Sequence, residues 1–175
     1  FHPTNSALAI AGGRESGTAH FSTDGGKTWR NATHGVADWG NARVEITYAR
    51  ANPSIVYASV DVNRGSIWRS TDGGVNFSPL VNVSRFRSGP NTVLTTNIAL
   101  ALDAADNPHL AWVGVTSAQT RTQDIYYSRS ADGGRAFGPV IQVSLGNNSG
   151  VNPREPALAV DSRGAVFVAW TNPDR

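Results

Sequence analysis

The hydrophobic pattern changes in a regular way along this chain. Val166–Trp170 is apolar at every position, which is typical of a β-strand covered on both faces. Asp124–Arg129 mixes polar and apolar residues, as a strand nearer to water does. Glycine, proline, asparagine and serine separate the short apolar runs. The pattern predicts an all-β protein. In each group of strands, the first strands are buried and the later ones lie nearer to solvent.

One local pattern occurs three times. FSTDGGKTW begins at Phe21, RSTDGGVNF at Arg69 and RSADGGRAF at Arg129, and each reads Ser-x-Asp-Gly-Gly-x-x-aromatic. The aspartates fall at positions 24, 72 and 132, so the intervals are 48 and 60 residues. Such intervals lie in the range of the four-stranded blades of a β-propeller.

The runs around these patterns predict the strands of two complete blades. Each blade has four runs, and the third run leads into the Asp-Gly-Gly turn. The predicted strands are Val44–Ala51, Ile55–Asp61, Ser66–Ser70 and Phe77–Val83 in one blade, and Asn97–Asp103, His109–Val115, Asp124–Ser130 and Gly138–Ser144 in the next.

The two ends predict incomplete blades, with about three strands at the start and two at the end, Pro156–Asp161 and Ala165–Trp170. We therefore expect one propeller segment, residues 1–175, of about three blade equivalents. Its divisions are 1–40 (partial), 41–88, 89–148 and 149–175 (partial). Closed propellers usually need at least four blades. Two interpretations fit this count: self-association, in which Pro156–Trp170 of one copy pairs with Ala7–Trp29 of another and completes a propeller, or excision of the chain from a longer polypeptide.

Composition removes several classes of function. Fifteen Lys and Arg against 13 Asp and Glu leave a net charge of +2, so the chain lacks the excess of positive charge that attracts nucleic acid. No apolar run is long enough for a membrane span, and residues 1–30 lack the layout of a signal peptide. The chain starts at Phe1 and contains no Met, so it is either processed or cut from something larger, and we expect an extracellular or periplasmic location rather than a cytoplasmic one.

No cofactor or metal is expected. The absence of cysteine excludes disulfides and thiolate metal sites. The four histidines lack metal-ligand spacing, and no glycine-rich loop has the pattern of a phosphate-binding loop.

The repeated turns are predicted to be structural. The aspartate carboxylate and the serine hydroxyl can accept hydrogen bonds from backbone N–H groups of their own turn. The glycines supply positive φ, and the aromatic residue is expected to re-enter the sheet and become buried. These residues are Ser22, Asp24, Gly26 and Trp29; Ser70, Asp72, Gly74 and Phe77; and Ser130, Asp132, Gly134 and Phe137.

These segments resemble the Asp-box, or bacterial neuraminidase repeat, with the pattern Ser-x-Asp-x-Gly-x-Thr-Trp. Ser22–Trp29 agrees at every fixed position, whereas Asn76-Phe77 and Ala136-Phe137 replace Thr-Trp in the other two. The resemblance implies a β-propeller like those of sialidases, xyloglucan-degrading hydrolases and the sortilin ectodomain. It also implies that the turns lie at the blade periphery, away from the ligand face.

Sialidases hold the sugar carboxylate with arginines, the first of which lies in an aromatic-Arg-Ile-Pro motif. The nearest match is Pro153-Arg154-Glu155-Pro156, and Arg175 follows about one hairpin later. The resemblance implies Arg154 and Arg175 as ligand-binding residues, because a guanidinium matches two carboxylate oxygens. Exposed loop positions without a ligand are the alternative interpretation.

No catalytic group can be selected from the remaining residues. The acids outside the repeated turns and hairpins are Glu15, Asp38, Glu45 and Glu155, and their spacing selects no pair. Trp39 lies in a polar stretch and is predicted to be an exposed aromatic that could stack on a sugar ring. We expect a non-catalytic scaffold that binds glycans or an extracellular protein, and the alternative is part of an exo-acting glycosidase of the sialidase type.

Overall fold

A computed structural model describes residues 1–13, 17–35, 39–40, 42–60, 66–82, 95–115, 123–144 and 152–172. These residues form strands and turns, with no helix among them. The strands are β1 (Ala9–Ala11), β2 (His20–Ser22), β3 (Arg30–Asn31), β4 (Val44–Tyr48), β5 (Val56–Val60), β6 (Ser66–Ser70), β7 (Ser78–Asn82), β8 (Thr95–Leu102), β9 (Pro108–Val115), β10 (Gln123–Arg129), β11 (Ile141–Gln142), β12 (Arg154–Val160) and β13 (Val166–Thr171).

The strands form four antiparallel sheets in chain order. The first sheet is β1-β2-β3, the second β4-β5-β6-β7, the third β8-β9-β10-β11 and the fourth β12-β13. Within each sheet every strand pairs with its neighbour along the chain, so each sheet is a simple meander. The expected strand numbers of three, four, four and two agree with this order, and the all-β prediction is confirmed.

The second sheet is buried on both faces. On one face Val56, Ala58 and Trp68 pack with Ala19 and Ala32 of the segment around β2 and β3. On the other face Tyr57 and Ile67 pack with Leu110, Trp112 and Tyr126 of the third sheet. Side chains alternate between the faces of a strand, so an apolar run such as β5 can serve two cores. The sheets therefore stack face to face.

The fourth sheet departs from this pattern. β12 packs on β8 and β9, but β13 has no strand on its outer edge among the residues that the structure describes. Val166 is 37% exposed and Phe167 60% exposed. The prediction that Val166–Trp170 is covered on both faces is therefore wrong, because nothing in the described part of the chain lies on its second face.

The Asp106 carboxylate joins the second and third sheets. Asp106, in the turn between β8 and β9, accepts hydrogen bonds from the backbone N–H groups of Arg50, Ala51 and Asn52 at 2.7, 2.8 and 3.2 Å. Asp106 is only 9% exposed and has a φ of 60°. This left-handed conformation aims the carboxylate at the loop between β4 and β5.

Candidate functional site

In each Ser-x-Asp-Gly-Gly segment the serine hydroxyl and the aspartate carboxylate bond to groups of their own turn, while the N–H of the first glycine donates to a group outside it. In the first turn the Ser22 hydroxyl donates to Asp24 Oδ1 at 2.8 Å and accepts from the Gly26 N–H at 2.8 Å. The Asp24 carboxylate also accepts from the Thr28 N–H at 2.9 Å. The serine and aspartate thus close the turn from opposite sides, as the sequence predicts.

The other two turns repeat this geometry. The hydroxyl-to-carboxylate distance is 2.7 Å for Ser70 and Asp72 and 2.7 Å for Ser130 and Asp132. The second glycine of each turn has a φ between 87° and 95°, a conformation that a residue with a Cβ adopts only under strain. The requirement for glycine here is therefore one of backbone conformation.

The hydrogen bonds keep the turn carboxylates ionised. The hydroxyl of Thr28, then its backbone N–H and the hydroxyl of Ser22, lower the pKa of Asp24 from 3.8 to about 2. The backbone N–H of Ala136 is the main cause of a lowered pKa for Asp132. Burial acts to raise the pKa of Asp72, but hydrogen bonds from Ser70 and Asn76 outweigh it and the pKa is lowered. Such groups are unsuited to acid catalysis, which needs a proton near neutral pH.

The aromatic residues that end the turns do not share one environment. Phe77 is 3% exposed and Phe137 is 4% exposed, as predicted. Trp29 is 44% exposed, and its indole N–H donates to the Gly26 carbonyl at 3.0 Å. The prediction that the turn aromatic becomes buried is therefore wrong for Trp29, because no sheet precedes the first one within the described chain.

Trp39 is a core residue. It is 0% exposed and stacks on His34 with ring centroids 4.5 Å apart, and its edge contacts lie at 5.3 Å to Trp68 and 5.7 Å to Phe77. The prediction of an exposed Trp39 is wrong. The prediction relied on the polar residues beside Trp39 in the sequence, whereas Trp39 packs in the core cluster with Ala19, Ala32 and Trp68.

Arg154 begins β12 and is exposed, and its carbonyl accepts a hydrogen bond from the Thr171 hydroxyl at 3.2 Å. Arg175, Glu15 and Asp38 lie outside the described residues. The structure therefore does not test the pairing of Arg154 with Arg175.

Sequence reasoning missed a matching distortion in β8 and β12. Asn97 and Glu155 have φ values of 50° and 51°, and each lies where the register of its strand shifts against the next. The segments Asn97-Ile98-Ala99-Leu100 and Glu155-Pro156-Ala157-Leu158 align, and this alignment was the available signal. Bulges and left-handed residues other than glycine concentrate at functional sites.

The described carboxylates are mostly engaged by the protein itself. Eight of the nine accept hydrogen bonds from protein groups: Asp24, Glu45, Asp72, Asp103, Asp106, Asp124, Asp132 and Asp161. Glu155 is the exception and is exposed. An acid pair for hydrolysis is therefore not found among the residues that the structure covers.

Glu45 lies beside a cavity of about 340 Å³ between the first strands of neighbouring sheets. Gly12, Val44, Ile46 and Leu100 complete the lining. Burial raises the pKa of the Glu45 carboxyl against the opposing effect of Arg43. Arg43 binds one carboxylate oxygen, and the Leu100 N–H donates to the other at 3.3 Å. Glu45 therefore ties β4 to β8.

A second cavity, of about 450 Å³, lies on the outer part of the third sheet. Tyr127, Arg129 and Ile141 line it from the strands, and Asp132 and Phe137 from the turn. The Tyr127 hydroxyl is 2.7 Å from His109 Nδ1, and His109 Nε2 is 3.6 Å from Asp103 Oδ2. We assign the hydrogen of the neutral imidazole to Nε2, so that Nδ1 accepts from Tyr127.

Protonation of His109 should destabilise the protein. His109 is 1% exposed, and burial lowers its pKa from the ordinary 6.5 even though Asp103 opposes this effect. The unfolded chain therefore binds a proton more readily, and the free energy of unfolding should fall as pH drops below about 6.5. We expect His109→Gln to flatten this dependence in urea titrations across the same interval. Tyr127→Phe keeps the buried imidazole and should show the same dependence of the free energy of unfolding on pH as the wild type. If His109→Gln also keeps that dependence, His109 is not its cause.

Two absences hold for the described part of the chain. No group of three His, Asp or Glu side chains there is arranged to hold a metal ion. That part also contains no apolar helix of membrane-crossing length.

No protein-family model matches the chain, and no curated protein sequence matches it significantly. Solved structures, in contrast, match the chain. An ancestral GH74 enzyme is 17% identical with a TM-score of 0.56, over 100% of this chain and 23% of that one. A protein of unknown function from Dyadobacter fermentans is 14% identical with a TM-score of 0.61, over 87% of this chain and 43% of that one.

The NanB sialidase from Streptococcus pneumoniae is 11% identical with a TM-score of 0.58, over 98% of this chain and 27% of that one. The chain thus spans less than half the length of each of these three proteins. At such identities the likeness concerns the fold alone. The chain has a β-propeller fold, and its structural relatives include sialidases.

Proposed function

We propose that this chain is a non-catalytic β-propeller segment that acts as a glycan- or protein-binding scaffold. The observation that carries the proposal is the engagement of eight of the nine described carboxylates by the protein's own donors. Glycoside hydrolysis by the usual route needs a pair of carboxyl groups on either side of the scissile bond, and sialidases, which use a tyrosine nucleophile, are an exception. The three repeated aspartates hold turns together and serve no reaction.

The ligand surface in this proposal is the starting end of β8 and β12. These strands pack on one another, and each has a left-handed residue there, Asn97 and Glu155. Arg154 and Glu155 are exposed beside each other and offer a guanidinium and a carboxylate. The guanidinium suits a carboxylate on a sugar or a peptide, and the Glu155 carboxylate suits hydroxyl or ammonium donors.

Binding can be measured with an immobilised sialylated glycan and its desialylated counterpart. We expect preferential retention of the sialylated form, and Arg154→Ala should weaken it about tenfold, in line with the loss of one charge-assisted pair. Arg163→Ala is the matched control, because Arg163 is exposed in the turn at the opposite end of the same hairpin. Retention of neither glycan would refute the glycan form of the proposal and leave a protein ligand, whereas equal retention of both would refute recognition of the sugar carboxylate.

A glycosidase of the sialidase type is the second candidate function. It is favoured by one observation, the exposed Arg154 beside Glu155, whose carboxylate accepts no hydrogen bond within the described chain. A fluorogenic sialoside distinguishes the two functions. We expect no turnover above the buffer rate; turnover that disappears in Arg154→Ala would establish catalysis and overturn the scaffold.

A further inference from the structure

Each repeated turn contains a bond that can rearrange chemically, at Asp24-Gly25, Asp72-Gly73 and Asp132-Gly133. In an Asp-Gly pair the glycine nitrogen can attack the aspartate Cγ. The amide proton and the carboxyl hydroxyl leave together as water, and a five-membered succinimide forms. Water then opens the ring, and opening at the α-carbonyl gives isoaspartate, which has the mass of the original residue. Glycine favours the attack because it has no Cβ to shield its nitrogen.

Hydrogen bonds to the glycine N–H restrain this reaction in the first two turns. The Gly25 N–H donates to the Ala7 carbonyl, and the Gly73 N–H donates to the Ser54 carbonyl, each at 2.8 Å. Cyclisation must turn the planar Asp-Gly peptide until its nitrogen faces Cγ, and this movement breaks the bond. The acceptor in both turns is a backbone carbonyl, which the chain holds in place.

The third turn lacks this backbone acceptor. Ala7, Ser54 and Asp106 occupy equivalent positions, because each lies two residues before the residue opposite a turn serine. Asp106, however, has a φ of 60°. The Gly133 N–H donates instead to the side-chain carbonyl of Asn107 at 3.0 Å. A side-chain amide can rotate away about its own torsion angles, so the restraint on this turn is weaker.

The third aspartate is also held by fewer side chains. In the first turn the Thr28 hydroxyl donates to Oδ2 of the aspartate, and in the second turn the Asn76 amide does so. The corresponding residue in the third turn is Ala136, which bonds Asp132 Oδ1 through its N–H and has no side-chain donor for Oδ2. Rotation of the Asp132 carboxyl towards the glycine nitrogen therefore breaks fewer hydrogen bonds.

We propose that Asp132 is the residue at which the folded protein forms isoaspartate, and that the Asn107 amide restrains this reaction. The rearrangement adds one atom to the backbone before Gly133 and moves the free carboxylate to the Cα. The Ser130 hydroxyl then loses its acceptor, and the Tyr57 hydroxyl loses its fixed contact with the Gly133 carbonyl. The third turn should therefore loosen from the second sheet as the protein ages. No ligand is involved, so the proposal stands independently of the proposed function.

Peptide mapping of protein aged in warm neutral buffer measures the rearrangement. Trypsin cleaves after Lys and Arg and separates the three bonds into peptides 15–27, 70–85 and 130–135. Isoaspartate changes the retention time of a peptide and leaves its mass unchanged. We expect it to accumulate several-fold faster at Asp132 than at Asp24 or Asp72, and equal rates in the folded protein would overturn the proposal. In urea the three rates should converge; a difference that persists there would place its cause in the local sequence and contradict the restraint.

Two variants change the restraint in opposite directions. Asn107→Ala should raise the rate at Asp132 about tenfold, as the loss of one hydrogen bond does, and leave the other two turns unchanged. Ala136→Thr should lower the rate, because it supplies the hydroxyl donor that Thr28 supplies in the first turn and position 136 is exposed. An Asn107→Ala protein with the wild-type rate at Asp132 would contradict the role of Asn107. A rise at all three turns would show general loosening and would also contradict it.

Discussion

Asp106→Ala is expected to lower the free energy of unfolding by about 3 kcal/mol or more, because buried donors without acceptors are costly. The substitution removes the acceptor of three backbone N–H groups in the β4–β5 loop. It also forces alanine into a left-handed conformation with a φ near 60°. Urea unfolding monitored by tryptophan fluorescence gives the difference directly.

Asp106→Gly separates the two causes, because glycine adopts positive φ without strain. The chain already places Gly164, with a φ of 84°, in the corresponding turn between β12 and β13. We expect Asp106→Gly to recover only that part of the loss in free energy of unfolding that comes from backbone strain. A glycine variant as stable as the wild type would show that the carboxylate does not hold the two sheets together.

Gly74→Ala should destabilise the protein by about 3 kcal/mol, which combines left-handed strain with overpacking against a neighbouring side chain. The new Cβ would lie 2.8 Å from Ile10 Cγ2 in the first sheet. The β-branched Ile10 has little rotamer freedom with which to yield. Thermal and urea unfolding should both report the loss.

Gly73→Ala is the matched control at the neighbouring position. Gly73 has a φ of 76°, but an added Cβ there would meet nothing within 4 Å. We expect a loss of about 1 kcal/mol, from backbone strain alone. Equal losses at positions 73 and 74 would mean that the close approach of the turn to β1 contributes nothing to stability.

The sequence predicted those features that local residues determine. β6 spans Ser66–Ser70 as predicted, because an apolar run leads into a turn whose serine and aspartate bond to groups of the same turn. The roles of Ser70 and Asp72 follow from chemistry within a few residues. The predicted strand Val44–Ala51 ends at Tyr48 in the structure, since the loop beyond it turns to meet Asp106.

The remaining features depend on contacts between distant parts of the chain. Trp39 was predicted to be exposed from its polar neighbours, yet Trp68 and Phe77 enclose it. The approach of His109 to Tyr127 depends on the pairing of β9 with β10, with Arg129 directly opposite His109. Trp29 and Phe77 have the same local pattern but differ in exposure, because Phe77 packs on the segment around β2 and β3 whereas no sheet in the described chain covers Trp29. No local reading of the sequence can supply that difference.

The local hydrogen bonds of the serines in the repeated turns bear on the order in which the protein folds. The Ser22, Ser70 and Ser130 hydroxyls each complete their bonds inside one short segment, so each hairpin end can close before any two sheets meet. Burial of Phe77 and Phe137 requires the preceding sheet, which makes it a later event. During synthesis the preceding sheet leaves the ribosome before each of these aromatics does. Each new sheet can therefore pack on a sheet that has already been synthesised.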